Sequence, residues 1–402
     1  MTAVLRYDDL PSRRSGPHLQ VDSAALAANT RLFATRAGSA AVMAVVKADG
    51  FGHGAADLAR TALANGATWL GVASLDEALA LRTSGIVAPI LSWLNPVDAD
   101  FAAACRHRID VTIPSAEHLD AVTWAAAATG HRARVHLQLD TGMARDGASP
   151  REWDRLCARA RVFEVGQRID VVGVMGHLAC ADQANTEANS AGLAAFQRGV
   201  ALARRTGLRP PLRHLATTAA TLTDPRTHFD LVRIGAGLVG IDPSGTTELS
   251  GALTVTAPVV SVRRVTAGTG VGYGHTHVTD RSTYLGLIPL GYADGVPRIA
   301  SGHAEVSVGG RRRPLAGLVS MDQIVVDLGD RPVPLGEVAT ILGPGDDGEP
   351  TIAEWAGWAG TIGHEIVTGF GSRLSRTFGS PPGHDDGSRS RLTVASAPRE
   401  LQ

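Results

Sequence analysis

The sequence predicts an α/β protein, a (β/α)8 TIM barrel followed by a β-rich domain. Between about residues 40 and 240, short apolar runs alternate with Ala/Leu/Arg-rich stretches long enough to be helices, the pattern of βα units around a parallel sheet. The polar candidates fall just after those runs, where barrels of this kind collect their sites. After about residue 250 the texture changes to alternating strands and turns.

Eight runs read as barrel strands: 42–46, 69–73, 90–93, 110–113, 135–139, 171–175, 212–215 and 231–234. Most of their residues are apolar, and 42–46, 69–73 and 171–175 are continuously so, as expected of strands covered on both faces. An open doubly wound sheet is the competing arrangement. A helix from about Asp22 to Arg36, opened by an Asp/Ser cap signal, precedes the first strand and adds to the eightfold pattern. Beyond the barrel, residues 253–265, 283–290 and 324–328 read as strands, and Gly309-Gly310 as a hairpin turn. A helix near 352–360 and a strand-like 360–371 come last. The expected domains are an N-terminal segment 1–17 packing on the β domain, a barrel over 18–248, a β-rich domain over 249–379 and a disordered Ser/Pro/Gly/Asp-rich tail over 380–402.

Composition narrows the function. A net charge of -1 and a pI near 6.9 give no long-range attraction to nucleic acid or anionic membranes, and Arg311–Arg313 is too short for a basic patch. Small-molecule partners are expected. Cys105, Cys157 and Cys180 are widely spaced, without a CxxC or a Cys/His cluster, so neither a disulfide framework nor a metal site is indicated. No signal peptide or apolar span of membrane length is visible, and a cytoplasmic location is expected.

Lys47 stands out. It is the sole lysine of the chain, although Lys and Arg together number 38, and it ends an apolar run in Val46-Lys47-Ala48-Asp49-Gly50-Phe51-Gly52-His53-Gly54. A desolvated primary amine can lose its proton and condense with an aldehyde, which a guanidinium cannot. Lys47 therefore reads as a Schiff-base lysine or, on composition alone, as an ordinary salt-bridging residue. Asp140 to Arg145 follow the fifth run, His177 the sixth, Thr217 and Thr218 the seventh, and Arg233 and Gly235 close the eighth.

Seven motifs in order carry a family resemblance: the Lys47 segment, Leu139-Asp-Thr-Gly-Met-Ala-Arg145, Gly176-His-Leu-Ala179, Val232-Arg-Ile-Gly235, Tyr273-Gly274, Gly291-Tyr-Ala-Asp-Gly295 and Val319-Ser-Met-Asp-Gln323. Over about residues 18–378 the chain resembles the fold-type III alanine racemases, pyridoxal phosphate enzymes with a barrel and a β domain. The resemblance implies interconversion of L-alanine and D-alanine by two bases in a homodimer with shared active sites.

Racemisation removes the α-proton from one face and returns one to the other, so it needs two acid/base groups on opposite sides of a stabilised carbanion. The resemblance gives Lys47 the D face, after release of the cofactor it holds, and Tyr273 of the second subunit the L face. Tyr273 sits in a glycine-rich loop, where an aromatic residue has no evident packing role. The resemblance also places Arg233 at the pyridine nitrogen, which a permanent cation would keep unprotonated, and His177 between Arg233 and Tyr273. Arg145 matches the arginine at the cofactor phenolate and substrate carboxylate. Thr218 and the backbone of Gly235 and Ala236 match the phosphate cradle. Met321 and Tyr292 fall on the substrate side, although a methionine in an apolar strand is by itself a core residue.

Three positions depart from the family pattern. Phe51 and His364 stand where tyrosines normally hold the phosphate, and Gln138 stands where a lysine props the arginine at Arg145. The residues between Arg373 and Arg376 also lack the usual proline. His364 keeps open a racemase of serine or of a broader set of amino acids. A fold-type III decarboxylase would be expected to bring a catalytic cysteine where Ser320-Met321-Asp322 stands, and a non-catalytic pyridoxal phosphate carrier would typically be the barrel alone.

Overall fold

The computed structural model describes residues 16–379; the expected tail over 380–402 and most of the N-terminal segment lie outside that range. Eight parallel strands, 41–45, 69–72, 90–92, 109–113, 133–138, 169–175, 212–214 and 231–234, stand side by side in sequence order. The first pairs with both the second and the eighth. The seventh and eighth meet through Asp230 N–H to Arg213 O and Arg233 N–H to Ala216 O, both 3.1 Å, so the sheet nearly closes. All eight predicted runs are strands, and every one except the short 212–214, where only His214 is buried, buries almost all its residues between the barrel interior and the helices outside.

The helices start where the sequence caps them. Asp22 accepts from the backbone of Ala24 and Ala25 to open Ser23–Ala37, and Ser74 with Glu77 forms a reciprocal capping box on Leu75–Thr83. Among the described residues no helix is long and apolar enough to cross a membrane.

The remaining strands form a six-stranded sheet, a three-stranded sheet and a two-stranded ribbon. In the predicted hairpin, Gly309 and Gly310 (φ 60° and 68°) turn Glu305–Val308 back onto Arg311–Pro314, a double left-handed step that glycine makes without strain. Two features differ from expectation. His18–Val21 is a strand of the six-stranded sheet, antiparallel to Leu253–Pro258 and parallel to Ser375–Phe378, so the edge of the range 18–248 belongs with the β domain. Residues expected to extend as a strand over 360–371 instead form a helix, Gly363–Gly369. Its β-branched residues favour extension locally, but burial of Ile366 and Val367 prevails.

That helix touches the lysine segment. Gly52 has φ 79°, and a Cβ there would lie 2.6 Å from the Val367 carbonyl oxygen. Gly52→Ala should therefore lower the unfolding free energy by about 1–3 kcal/mol, read as a reduced urea midpoint; an unchanged midpoint would show that the close approach is unimportant.

Candidate active site

Lys47 lies one residue beyond the first barrel strand, after Val46, and the next five residues, Ala48 to Gly52, all have positive φ between 51° and 79°. Left-handed turns of this kind strain side-chain-bearing residues by about 1–2 kcal/mol each, so the surroundings must hold them. Glu77 accepts from Ala48 N–H at 2.7 Å while its other oxygen accepts from Ala73 N–H at 2.8 Å. Asp49 accepts from Ala55 N–H at 2.9 Å and from Arg376 at 2.7 Å. His53, fully buried, faces the carbonyls of Gly50 and Phe51 through Nδ1. Lys47 is thus a long side chain on a clamped turn.

Its charge is disfavoured. Burial and then the Arg145 guanidinium push the Lys47 ammonium below its ordinary range, and Glu77 opposes them. Arg145 is exposed on a loop shaped by Asp140, whose Oδ1 accepts from the backbone of Gly142, Met143 and Ala144 at 2.9–3.2 Å. Thr141 ties this loop to His177, donating to its carbonyl at 2.6 Å and accepting from its N–H at 3.2 Å.

Arg233 lies buried at the end of the eighth strand. It donates to the carbonyls of Gly176 (2.9 Å), His214 (3.1 Å) and Leu215 (3.3 Å), and to Nδ1 of His177 and of His214, both at 3.2 Å. Burial lowers its pKa to about 10, so it stays charged at neutral pH. His177 is pushed down to about 3 by burial and by Arg233, Arg145 and Lys47. A neutral His177 that accepts at Nδ1 carries its proton on Nε2.

The hydroxyl oxygen of Thr218 accepts from Gly235 and Gly237 N–H, both at 3.3 Å, which leaves its own proton free to donate. Gly235 must lack a side chain, since a Cβ would come within 2.8 Å of the Phe51 ring. Thr217, just before, makes no side-chain cap bond to the short helix Thr218–Thr223. Ala236 follows in a buried turn. His364 packs 6.2 Å from the Phe51 ring, its pKa lowered by burial and by the Lys47 charge. Gln138 donates to Asp146 at 3.2 Å, and its buried Oε1 has no partner among the described residues.

Lys47, Arg145, His177, Thr218, Arg233, Gly235, Ala236 and His364 are therefore gathered about the carboxyl ends of the barrel strands. Tyr273, Met321 and Tyr292 lie elsewhere, on the β domain, 70%, 54% and 41% exposed. Tyr273 sits between Gly272 and Gly274, both left-handed. Tyr292 and Met321 form one unit, because the backbones of Tyr292 and Ala293 donate to Ser320 and Met321 carbonyls at 3.0 and 2.9 Å.

Several supporting residues were not foreseen. Arg373 bridges buried Asp294 at 3.2 Å and Asp322 at 2.7 Å, joining the two motifs that carry Tyr292 and Met321. Arg376 holds Asp49 beside Lys47. Of these supports, only Glu77 left a local signal, the Ser74-Leu-Asp-Glu77 capping pattern.

Two family models match the chain, alanine racemase N-terminal domain over residues 21–243 and alanine racemase C-terminal domain over residues 252–378. The chain is 46% identical over 362 residues to an alanine racemase of Thermobifida fusca, covering 89% of this chain and 97% of that one. Its structure is similar to a crystal structure of alanine racemase from D-cycloserine-producing Streptomyces lavendulae, with a TM-score of 0.89, 42% identity and coverage of 90% and 97%. It is also similar to a Bartonella henselae alanine racemase with covalently bound pyridoxal phosphate, with a TM-score of 0.83, 29% identity and coverage of 90% and 99%. The chain belongs to the alanine racemase family.

Proposed function

We propose that the protein interconverts L-alanine and D-alanine with pyridoxal phosphate, using Lys47 and Tyr273 as its two bases in a homodimer. The observation that carries this reading is the sole lysine, its ammonium disfavoured by burial and by Arg145, at the carboxyl end of a barrel whose seventh and eighth strands bring Thr218 and Arg233 to the same end. The residues present fit the cofactor. A readily deprotonated amine suits covalent attachment of an aldehyde, the Thr218 hydroxyl and the glycine turn beside Gly235 and Ala236 suit a phosphate, and charged Arg233 suits a ring nitrogen that is to stay unprotonated.

When bound, pyridoxal phosphate supplies an electron sink for the Cα–H bond that is broken. Lys47 would hold the cofactor and, as a free amine, would move a proton on the D face. Tyr273 moves a proton on the L face. Arg145 and the Met321 backbone N–H receive the substrate carboxylate, with Tyr292 lining the same side. His177, a donor at Nε2, orients the Tyr273 phenol and stabilises its deprotonated form. Exposure of Tyr273, Met321 and Tyr292 on one chain supports the dimer, in which a second copy covers them and each β domain completes the other's barrel mouth. The proposed place of work is the cytoplasm, whose reducing environment suits three free cysteines.

The loaded protein should convert either enantiomer to an equal mixture of both, followed by chiral chromatography. Loss of carbon dioxide, or exchange without inversion, would refute the proposal. The departures near the phosphate cradle give a second expectation. Phe51→Tyr adds a hydroxyl beside Gly235 and should tighten pyridoxal phosphate binding roughly three- to tenfold, the equivalent of one hydrogen bond of about 1 kcal/mol. Equilibrium dialysis showing no gain would mean that the Phe51 ring edge does not face the phosphate.

A further inference from the structure

Arg233 is buried and charged, and among the described residues its hydrogen-bond partners are carbonyls and imidazoles. A carboxylate nevertheless lies at the end of a chain of rings that starts on its Nη1. His214 receives Nη1 at Nδ1 and presents Nε2 to Nδ1 of His136 at 2.8 Å; His136 presents Nε2 to Asp110 Oδ2 at 3.2 Å. Arg134 closes the outer end, donating to Oδ1 at 2.7 Å and to Oδ2 at 3.2 Å. Asp110, His136 and His214 are buried in the barrel.

The two ends dictate the direction. A guanidinium can only donate, so Nδ1 of His214 must accept and its proton must sit on Nε2. Nδ1 of His136 must then accept as well, which leaves its proton on Nε2 for the carboxylate. Reversing either ring would set two N–H groups face to face at one joint. Burial, followed by His136 and Arg233, pushes the His214 pKa far down, in keeping with a neutral ring.

The fold makes room for this row. The fifth strand shifts register between Val135 and His136 against the sixth, a local irregularity of the kind that re-aims a side chain. Opposite it stands Gly173, where a Cβ would overlap the His136 ring. Trp69 and His214 meet that ring edge-on at 5.8 and 5.0 Å.

We propose that Asp110 is a positioning residue for Arg233, acting through His136 and His214: it fixes the Nε2–H tautomer of both rings and so presents a bare Nδ1 to the guanidinium. The inference rests on the reading of Arg233 as the group that faces the cofactor ring. With the tautomer fixed, Arg233 keeps one nitrogen committed to the interior, and the orientation of the rest toward His177 follows. With it lost, the Nη1 bond becomes a repulsion and the planar group rotates.

The test is nitrogen NMR of protein labelled with 15N-histidine, without and with pyridoxal phosphate, with His136→Gln and His214→Gln used to assign the rings. Wild type should show a pyridine-type Nδ1 and a pyrrole-type Nε2 on both. Asp110→Asn keeps the shape but cannot accept from both Arg134 and His136 through two oxygens. It should give mixed tautomers and lower kcat roughly 10- to 100-fold, as small misplacements of catalytic groups do, with KM for alanine within about threefold. A proton on Nδ1 of His214 in wild type would overturn the inference, as would Asp110→Asn losing kcat with both tautomers intact or keeping full kcat. Should Asp110→Asn fail to fold, the wild-type tautomers decide alone. Because the tautomers are read without cofactor or substrate, an inactive wild-type protein with the expected rings would contradict the proposed function and leave the chain of rings standing.

Discussion

Lys47→Ala should abolish covalent retention of pyridoxal phosphate and lower racemisation at least about 10⁴-fold, because a single change removes both the attachment point and one of the two bases. The chain has no second lysine to take over. Lys47→Arg makes the comparison sharper, since it keeps a positive charge in the same place but offers no amine able to condense with an aldehyde. Borohydride treatment followed by peptide mass analysis should find the reduced cofactor on Lys47 in wild type and on no peptide of either variant. Substantial racemisation by Lys47→Ala, or cofactor trapped elsewhere, would show that the half-buried amine beside Arg145 is not the reactive group.

Tyr273→Phe should leave cofactor attachment intact and slow Cα exchange of L-alanine by about 10²–10⁴-fold, the usual worth of one positioned acid/base group. Exchange of D-alanine from its own face, served by Lys47, should fall much less. The asymmetry carries the argument. A structural defect at the loop between Gly272 and Gly274 would slow both enantiomers alike, whereas removal of one of two bases on opposite faces cannot. Mixing Tyr273→Phe with Lys47→Ala adds a test of the shared site: if the phenol comes from the second copy, heterodimers regain one intact site and activity returns, while no recovery would place both bases on one chain.

The parts of the fold legible in the sequence are those with strong local patterns. Short, mainly apolar runs marked all eight barrel strands, Asp22 marked the extra helix, and Gly309-Gly310 marked the hairpin. Four residues, His18–Val21, were too few for period-two alternation to announce a strand, and its partners lie more than two hundred residues away. The helix Gly363–Gly369 was hidden because its β-branched residues favour extension locally.

The site divides in the same way. Lys47, Arg145, His177, Thr218, Arg233 and Gly235 stood out because each ends or follows a barrel strand. Their supports did not. Arg376 meets Asp49 across 327 positions, and Arg373 joins two distant motifs through Asp294 and Asp322. The absent proline between these arginines suggested a weaker match, yet both reach acidic partners. Asp110 and His136 read as polar interruptions in apolar strands until the barrel closes and sets their side chains in one row. The left-handed turn after Lys47 is held by Glu77 and, through Asp49, by Arg376, which reach it only in the folded chain.

The most direct measurement is solvent-deuterium exchange at Cα, with enantiomer analysis, for the pyridoxal phosphate-loaded protein against a panel of L-amino acids. Alanine should exchange and invert fastest, with deuterium in the product enantiomer. Faster inversion of serine or a larger amino acid, or loss of the carboxylate, would contradict alanine as the substrate and would mean that His364 and Phe51 have reshaped the pocket around Lys47.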